Sequence, residues 1–275
     1  MSERKNTILR LALFAVGLAA LAAVAAFAGR ASGIEVEEEP VDAMAHAAES
    51  SGGTANGLSD TASGFRFRLD TGALRAGAPA RLNVRLEREG KLYTQLDTAH
   101  GEPPLHLIFV RRDLAGYVHV HPRRLSGGFT TGVTLPSPGL WRAYADFEVD
   151  GEKIVLGRDV FVPGEFTPQR LAEPRRTASV DGYDVRLRRG TDLTFEISRG
   201  GRPVSTLQPY LGAAGHLVAI RADDLAYLHV HPREGSRPGT VAFEAELAEP
   251  GRYALFFQFK HGGNVHTVPF TLVAT

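Results

Sequence analysis

Hydrophobic and polar residues alternate along most of the chain after residue 63. In FRFRLD (65–70) and RLNVRL (81–86) every second residue is apolar, and YDVRL (183–187) and LTFEI (193–197) repeat the pattern. A period of two predicts β-strands that bury one face. No apolar spacing typical of an amphipathic helix follows residue 30, so the pattern predicts an all-β fold for the rest of the chain.

The chain contains an internal repeat. LHLIFVRRDLAGYVHVHP (105–122) aligns without a gap with GHLVAIRADDLAYLHVHP (215–232), and each stretch ends in His-Val-His-Pro. We predict two copies of one domain, residues 63–163 and 179–275, joined by a Pro-rich linker at 164–178. Copies of about 100 residues with short alternating strands indicate tandem antiparallel β-sandwiches of immunoglobulin-like or cupredoxin-like shape.

The amino-terminal region predicts a membrane segment and a tether. Residues 11–29 carry no charge, and as a helix they would be roughly 28 Å long, enough to span a bilayer. Basic residues within 1–10 place the amino terminus in the cytoplasm, so the Ala-, Ser- and Glu-rich tether at 30–62 and both copies would lie outside the cell membrane. The alternative is a cleaved signal peptide, which would make the protein secreted. Both alternatives export the two domains.

Charge and cysteine content exclude several kinds of function. Lysine plus arginine number 31, as do aspartate plus glutamate, so no basic patch for nucleic acid is expected. The chain has no cysteine, which excludes disulfides, thiolate catalysis and thiolate-ligated metal sites, including the blue-copper site of cupredoxins. Its two methionines, Met1 and Met44, precede the predicted domains, so thioether ligands are not expected either. A bound metal would therefore depend on nitrogen and oxygen ligands.

The hairpin of copy 2 carries two histidines where copy 1 is apolar. In HGGNVH (261–266) a turn at residues 263–264 would make His261 and His266 a cross-strand pair on the inward face. The aligned residues of copy 1 are Val149 and Ile154. Because buried imidazoles without partners are costly, their presence at core positions favours metal ligation.

The remaining histidine candidates occur in both copies. His216 shares a face with Val218 and Ile220, as His106 does with Ile108 and Val110, and we expect both histidines to point inward. The alternative for them is a core histidine bonded to a neighbouring strand. For the two His-Val-His pairs the alternative is that valine faces the core and the histidines lie outside. The predicted metal ligands are, in copy 2, His216, His229, His231, His261 and His266, and, as a weaker set in copy 1, His106, His119 and His121.

These motifs support a resemblance to a known group. DLAYLHVHP (224–232) followed by FQFKHGGNVHTVPFTLV (257–273) resembles exported actinobacterial proteins with duplicated His-Val-His-Pro β-domains that are often described as heavy-metal-binding. The resemblance covers copy 2 closely and copy 1 partially, and copy 1 departs from it at Val149 and Ile154. The resemblance implies that the protein handles metal outside the cytoplasm, with copper as the favoured metal.

The first functional hypothesis is a membrane-anchored, extracytoplasmic protein that binds a divalent metal through histidines of copy 2 and exchanges it with a donor or acceptor protein. An all-imidazole set favours copper on affinity order, with zinc as the alternative. The second hypothesis is a structural or adhesive β-sandwich without metal. No motif of a known catalytic class is present, so we do not expect an enzyme, although an open three-histidine site could support hydrolytic or redox chemistry.

Overall fold

The computed structural model describes residues 56–98, 103–228, 230–233, 237–245, 247 and 249–275. The predicted membrane segment at 11–29 and most of the predicted tether lie outside these residues. Over the part of the chain that is described, all regular structure is strand, and no helix there could cross a membrane. The all-β expectation is therefore confirmed for these residues.

Each domain contributes ten strands from the described residues. Those of the first domain are β1 (Thr61–Ala62), β2 (Phe65–Asp70), β3 (Pro79–Arg88), β4 (Lys91–Tyr93), β5 (Leu105–Arg111), β6 (Tyr117–Val120), β7 (Arg123–Leu125), β8 (Gly128–Thr134), β9 (Gly139–Val149) and β10 (Glu152–Val162). Those of the second are β11 (Thr177–Val180), β12 (Tyr183–Arg189), β13 (Asp192–Arg199), β14 (Arg202–Pro203), β15 (Gly215–Arg221), β16 (Tyr227–Leu228), β17 (His231–Pro232), β18 (Thr240–Glu244), β19 (Gly251–His261) and β20 (Asn264–Ala274).

The two domains repeat the same topology strand by strand. In the first, a six-stranded sheet has the order β1-β2-β3-β8-β7 with β4 also on β3, and a four-stranded sheet has the order β10-β9-β5-β6. In the second, the corresponding orders are β11-β12-β13-β18-β17, with β14 on β13, and β20-β19-β15-β16. The strand pairs within these sheets are antiparallel. The predicted pair of tandem repeated β-sandwich domains is thus confirmed.

The alternating sequence positions form the core of each sandwich. Leu82, Val84 and Leu86 of β3 are fully buried, whereas Asn83 and Arg85 between them are exposed. Phe195 of β13 stacks on Phe257 of β19 at 4.2 Å between ring centroids, which joins the two sheets of the second domain. Burial of these apolar side chains is the main favourable contribution to folding.

A third apolar cluster joins the two domains through their four-stranded sheets. Strands β5, β9, β15 and β19 are buried on both faces, because one face covers its own sandwich and the other packs against the other domain. The residues of this interface are Ile108, Val110, Leu114, Tyr144, Val155, Val218, Ile220, Leu225, Tyr227, Ala254 and Phe256. Hydrogen bonds extend it, since the Tyr144 hydroxyl donates to the Leu225 carbonyl at 2.7 Å and the Tyr227 hydroxyl donates to Asp146 at 2.8 Å.

Candidate metal centre

Three histidines of the first domain meet at the edge of the domain interface. His106 lies on β5, His119 lies opposite Ile108 on β6, and His121 follows that strand. Side chains alternate along a strand, so Val118 and Val120 pack against the core of the first domain and the histidines lie on the opposite face. That face turns toward the second domain, because His119 contacts Gln258 of β19.

The inward orientation predicted for His106 and His216 is therefore wrong. Each histidine does share a face with the two aliphatic residues that follow it, but these aliphatic residues belong to the cluster between the domains. An apolar face predicts burial without saying what covers it. In this chain the second domain covers Ile108 and Val110 on the outer face of β5, and the corresponding residues of β15 are covered by the first domain.

The three imidazoles are spaced as metal ligands are. Nδ1 of His106 lies 3.0 Å from Nε2 of His119, and Nε2 of His121 lies 3.1 Å from that same nitrogen. One ring nitrogen from each histidine falls within 4.8 Å of the other two. Two nitrogens bound to a tetrahedral zinc ion would be about 3.3 Å apart. The triad of His106, His119 and His121 could therefore hold a metal ion with small adjustments.

Hydrogen bonds to outer oxygens orient two of these rings. Nδ1 of His119 lies 2.9 Å from Oε1 of Gln258, and the backbone of Pro103 hydrogen-bonds His106. The Gln258 oxygen only accepts, so the neutral His119 ring carries its single N–H on Nδ1 and a lone pair on Nε2. That lone pair on His119 faces a nitrogen of His106 at 3.0 Å and one of His121 at 3.1 Å, where it could bind a cation. Metal-ligating histidines usually have such an outer partner.

The triad is held in the neutral form that metals require. Burial lowers the pKa of His106 to about 4, and repulsion from His216 and Lys153 adds to this effect. Burial also lowers the pKa of His121 to about 3, with a further contribution from His106 and His216. For His119 the pKa falls well below its ordinary value, first through burial and then through its two histidine neighbours. All three are therefore neutral at physiological pH.

The second domain supplies the other wall of the site. The ring centroid of His216 on β15 lies 6.0 Å from that of His106 and 6.2 Å from that of His119. Nε2 of His216 is 2.7 Å from the carbonyl oxygen of Tyr210, whose ring packs edge-on against His216. The centre thus lies between the two domains, with three histidines from the first and one nearby from the second.

The hairpin histidines of the second domain have a different environment. His261 pairs with Asn264 and Phe259 pairs with His266, so the turn is Gly262-Gly263. The predicted turn at 263–264 is therefore wrong by one position, and the predicted cross-strand pairing of the two histidines is wrong by two residues. Gly262 and Gly263 both have positive φ, as the central residues of such a two-residue hairpin turn require. Only glycine takes up both positions without steric cost.

Protein side chains already contact the nitrogens of these two histidines. Nδ1 of His261 lies 2.7 Å from the Tyr183 hydroxyl, and Nδ1 of His266 lies 2.7 Å from Oδ2 of Asp181. His266 is buried, and its Nε2 lies 3.3 Å from the His261 carbonyl oxygen. They line an open pocket of about 290 Å³ together with Arg199. Neither belongs to a three-residue metal group among the residues that the structure describes.

His229 and the side chain of His231 lie outside the described residues. Their predicted role as ligands stays a prediction. Sequence reasoning gave no role to Gln258 and Tyr117, which both contribute to the site. Gln258 is a buried polar residue within the apolar run LFFQF (255–259), and that anomaly is the one sequence signal that could have marked it. Its Nε2 donates to Thr267, and its Oε1 accepts from the Tyr117 hydroxyl at 3.2 Å.

Comparisons with known proteins identify a family and a few distant structures. A family model described as a domain of unknown function (DUF8832) matches residues 60–163 and again residues 177–275. No curated protein matches the chain. A DUF4785 family protein from Legionella pneumophila is 14% identical with a TM-score of 0.26, over 76% of this chain and 48% of that one. This chain thus spans about half the length of the Legionella protein.

Two further solved structures have comparable similarity. A mutant alpha-2-macroglobulin from Salmonella is 14% identical with a TM-score of 0.27, over 76% of this chain and 14% of that one. Domains 4 and 5 of the S-layer protein SbsC are 12% identical with a TM-score of 0.21, over 76% and 98% of the two chains. These TM-scores are low, and no inference rests on the solved structures.

Proposed function

This chain belongs to the family described as a domain of unknown function (DUF8832), which it contains twice, and we propose that it binds a divalent metal ion at His106, His119 and His121. The observation that carries the proposal is the geometry of the triad. Nitrogens of His106 and His119 face each other at 3.0 Å while their rings hydrogen-bond to outer oxygens. A cation at this point would be bound by one nitrogen from each of the three rings.

Copper is the metal we favour, with zinc as the alternative. Imidazole suits both, and the affinity of nitrogen sites for divalent ions peaks at copper. The chain offers no thiolate that would shift the preference toward Cu(I). The proposed role is metal binding and delivery rather than catalysis, in exchange with a donor or acceptor protein.

The proposed location is the outer side of a cell membrane. Its support is the uncharged stretch at 11–29, with basic residues before it and the acidic EVEEE at 35–39 after it. An anchored protein would stay in the membrane fraction after a high-salt wash. A soluble mature form that begins near residue 30 would instead support the cleaved signal peptide.

A structural or adhesive module without metal is the second candidate. It is favoured by the hydrogen-bonding distances that link the three rings, 3.0 and 3.1 Å, since a polar cluster of this kind can be stable on its own. The two candidates differ in what purified protein contains.

The experiment is metal analysis of the full-length chain, followed by equilibrium titration with Cu(II) and Zn(II). We expect one equivalent of metal, and we expect His119→Gln to lose at least about 100-fold in affinity, because the central nitrogen of the triad disappears. Unchanged affinity in His119→Gln, or no binding by the parent chain at micromolar metal, would favour the module without metal.

A further inference from the structure

The triad would supply three ligands to a metal ion, and a tetrahedral ion takes a fourth. A protein that uses three imidazoles and leaves the fourth position to water has the coordination of a catalytic site, whereas four protein ligands make a closed binding site. The identity of the fourth ligand therefore separates a metal carrier from an enzyme.

We propose that His216 of the second domain is this fourth ligand, so that the metal site is closed and spans both domains. The proposal rests on the metal binding at the triad proposed above. It gives the second domain a direct part in binding, whereas the triad alone would place the metal in the first domain.

Ring spacing is the first observation that supports this assignment. Two imidazoles on one tetrahedral ion have ring centroids about 5 Å apart, given metal–nitrogen bonds of about 2 Å. Within the triad the centroids are 5.1, 4.9 and 4.5 Å apart. The ring centroid of His216 lies 6.0 Å from that of His106 and 6.2 Å from that of His119, about 1 Å beyond this spacing, so the ring would have to move toward the triad to bind the ion.

The outer hydrogen bond of His216 is the second observation. Nε2 of His216 is 2.7 Å from the Tyr210 carbonyl oxygen, which can only accept. When the ring is neutral, its N–H is therefore on Nε2, and Nδ1 is the nitrogen that would bind the metal. His119 has the same pattern, with the N–H of one nitrogen bonded to the Gln258 oxygen and a lone pair on the other nitrogen. Ligating histidines typically show this arrangement.

The backbone around His216 is fixed by two independent contacts. His216 pairs with Gln258 across β15 and β19, and Gln258 is the residue that orients His119. The Tyr210 carbonyl is held in a tight turn, where Tyr210 and Ala213 exchange backbone hydrogen bonds of 2.8 and 3.2 Å. Both the candidate ligand and its outer partner thus belong to ordered segments next to the triad.

The test counts imidazoles on the bound metal by X-ray absorption of the Zn(II)-loaded full-length chain and by pulsed electron resonance of the Cu(II)-loaded chain. We expect four imidazoles in the parent protein. In His216→Gln we expect three imidazoles plus an oxygen ligand, with affinity lowered by at least about tenfold. The matched control is Tyr227→Phe, which removes a cross-domain hydrogen bond to Asp146 without touching the triad. It should keep four imidazoles.

The outcomes separate the two proposals. Three imidazoles and an exchangeable water in the parent chain would overturn the assignment of His216 while leaving the triad as a metal site. The same imidazole count in His216→Gln as in the parent would do so as well. A parent chain that takes up neither metal would overturn the proposed function itself. If His216→Gln does not fold, the imidazole count of the parent chain still decides the assignment.

Discussion

This protein has two groups of histidines, the triad at the domain interface and the pair in the hairpin between β19 and β20. The two groups differ in the atoms that their ring nitrogens contact. In the triad, ring nitrogens of His106, His119 and His121 face one another at about hydrogen-bond distance. In the hairpin, Nδ1 of each histidine faces a tyrosine or an aspartate instead. Neighbouring histidines in a strand therefore do not by themselves define a metal site. The partner of each nitrogen does.

The sequence favoured the histidines of copy 2 as ligands and ranked His106, His119 and His121 of copy 1 lower, whereas in the structure the copy 1 histidines are the ones that meet. The hairpin pair stood out because copy 1 has Val149 and Ile154 at the same positions, and the structure explains that difference through local contacts. His266 contacts the exposed Asp181, and His261 contacts Tyr183. The first domain has Ser63 in place of Asp181 and Phe65 in place of Tyr183. The hairpin histidines replace an apolar cluster by a hydrogen-bonded one.

The largest expected effect is on metal affinity, when histidines of the triad and of the hairpin are substituted separately. His119→Ala should lower metal affinity by at least about 100-fold, since it removes the nitrogen that both neighbours face. The double variant His261→Val, His266→Ile, which installs the residues of copy 1, should change affinity less than about threefold. Titration of both variants with Cu(II) measures the difference. Binding that survives in His119→Ala and disappears in the double variant would place the metal at the hairpin.

A second prediction concerns pH and the metal-free protein. The folded-state pKa values of His106 and His121 are lowered to about 4 and about 3, whereas an unfolded histidine titrates near 6.5. As the pH falls from 6.5 to 4, the unfolded chain takes up protons that the folded triad does not. The free energy of unfolding should therefore decrease, by at most about 1.4 kcal/mol per histidine and pH unit.

Urea unfolding of the metal-free chain at several pH values measures this loss. The variant His119→Leu removes one of the buried imidazoles and relieves repulsion on the other two, so its stability should fall less steeply with acid. The prediction fails if parent and variant lose stability equally between pH 6.5 and 4.

A third, smaller effect is expected at Gln258, which orients His119 without being a ligand. Gln258→Ala should lower metal affinity by about 10- to 100-fold, the usual cost of losing an outer partner of a ligating histidine. Thr267→Val is the control, because it removes only the hydrogen bond that Gln258 donates, and it should have a lesser effect. Isothermal titration with Zn(II) compares them. Equal affinity in Gln258→Ala and the parent chain would show that His119 needs no partner from the second domain.

The smallest effect is expected for the stability of the metal-free hairpin variant. His261→Val, His266→Ile removes contacts to Tyr183 and Asp181, but Asp181 is largely solvent-exposed and Tyr183 keeps Arg199 at 3.4 Å. No buried polar group loses its last partner, so the free energy of unfolding should change by less than about 1 kcal/mol. A loss of several kcal/mol in thermal or urea unfolding would show that the hairpin histidines are essential to the fold.

The sequence by itself determined the strands and the duplication. The alternation in stretches such as RLNVRL, and the repeated His-Val-His-Pro, depend on neighbours along the chain, and local periodicity decides which residues share a face. The same periodicity grouped His106 with Ile108 and His119 with His121 on common faces. The composition also indicated nitrogen ligands for a metal, because the absence of cysteine can be read directly from the sequence.

Only the tertiary structure decided where those faces point and which histidines meet. The four-stranded sheets are apolar on both sides, so the pattern could not distinguish the core of one domain from the surface it shares with the other. The contact of His119 with Gln258 joins residues 139 positions apart, and no local rule connects them. The turn at Gly262-Gly263 likewise shifted the hairpin by one position. Site geometry depends on the packing of distant strands, and only the folded chain sets it.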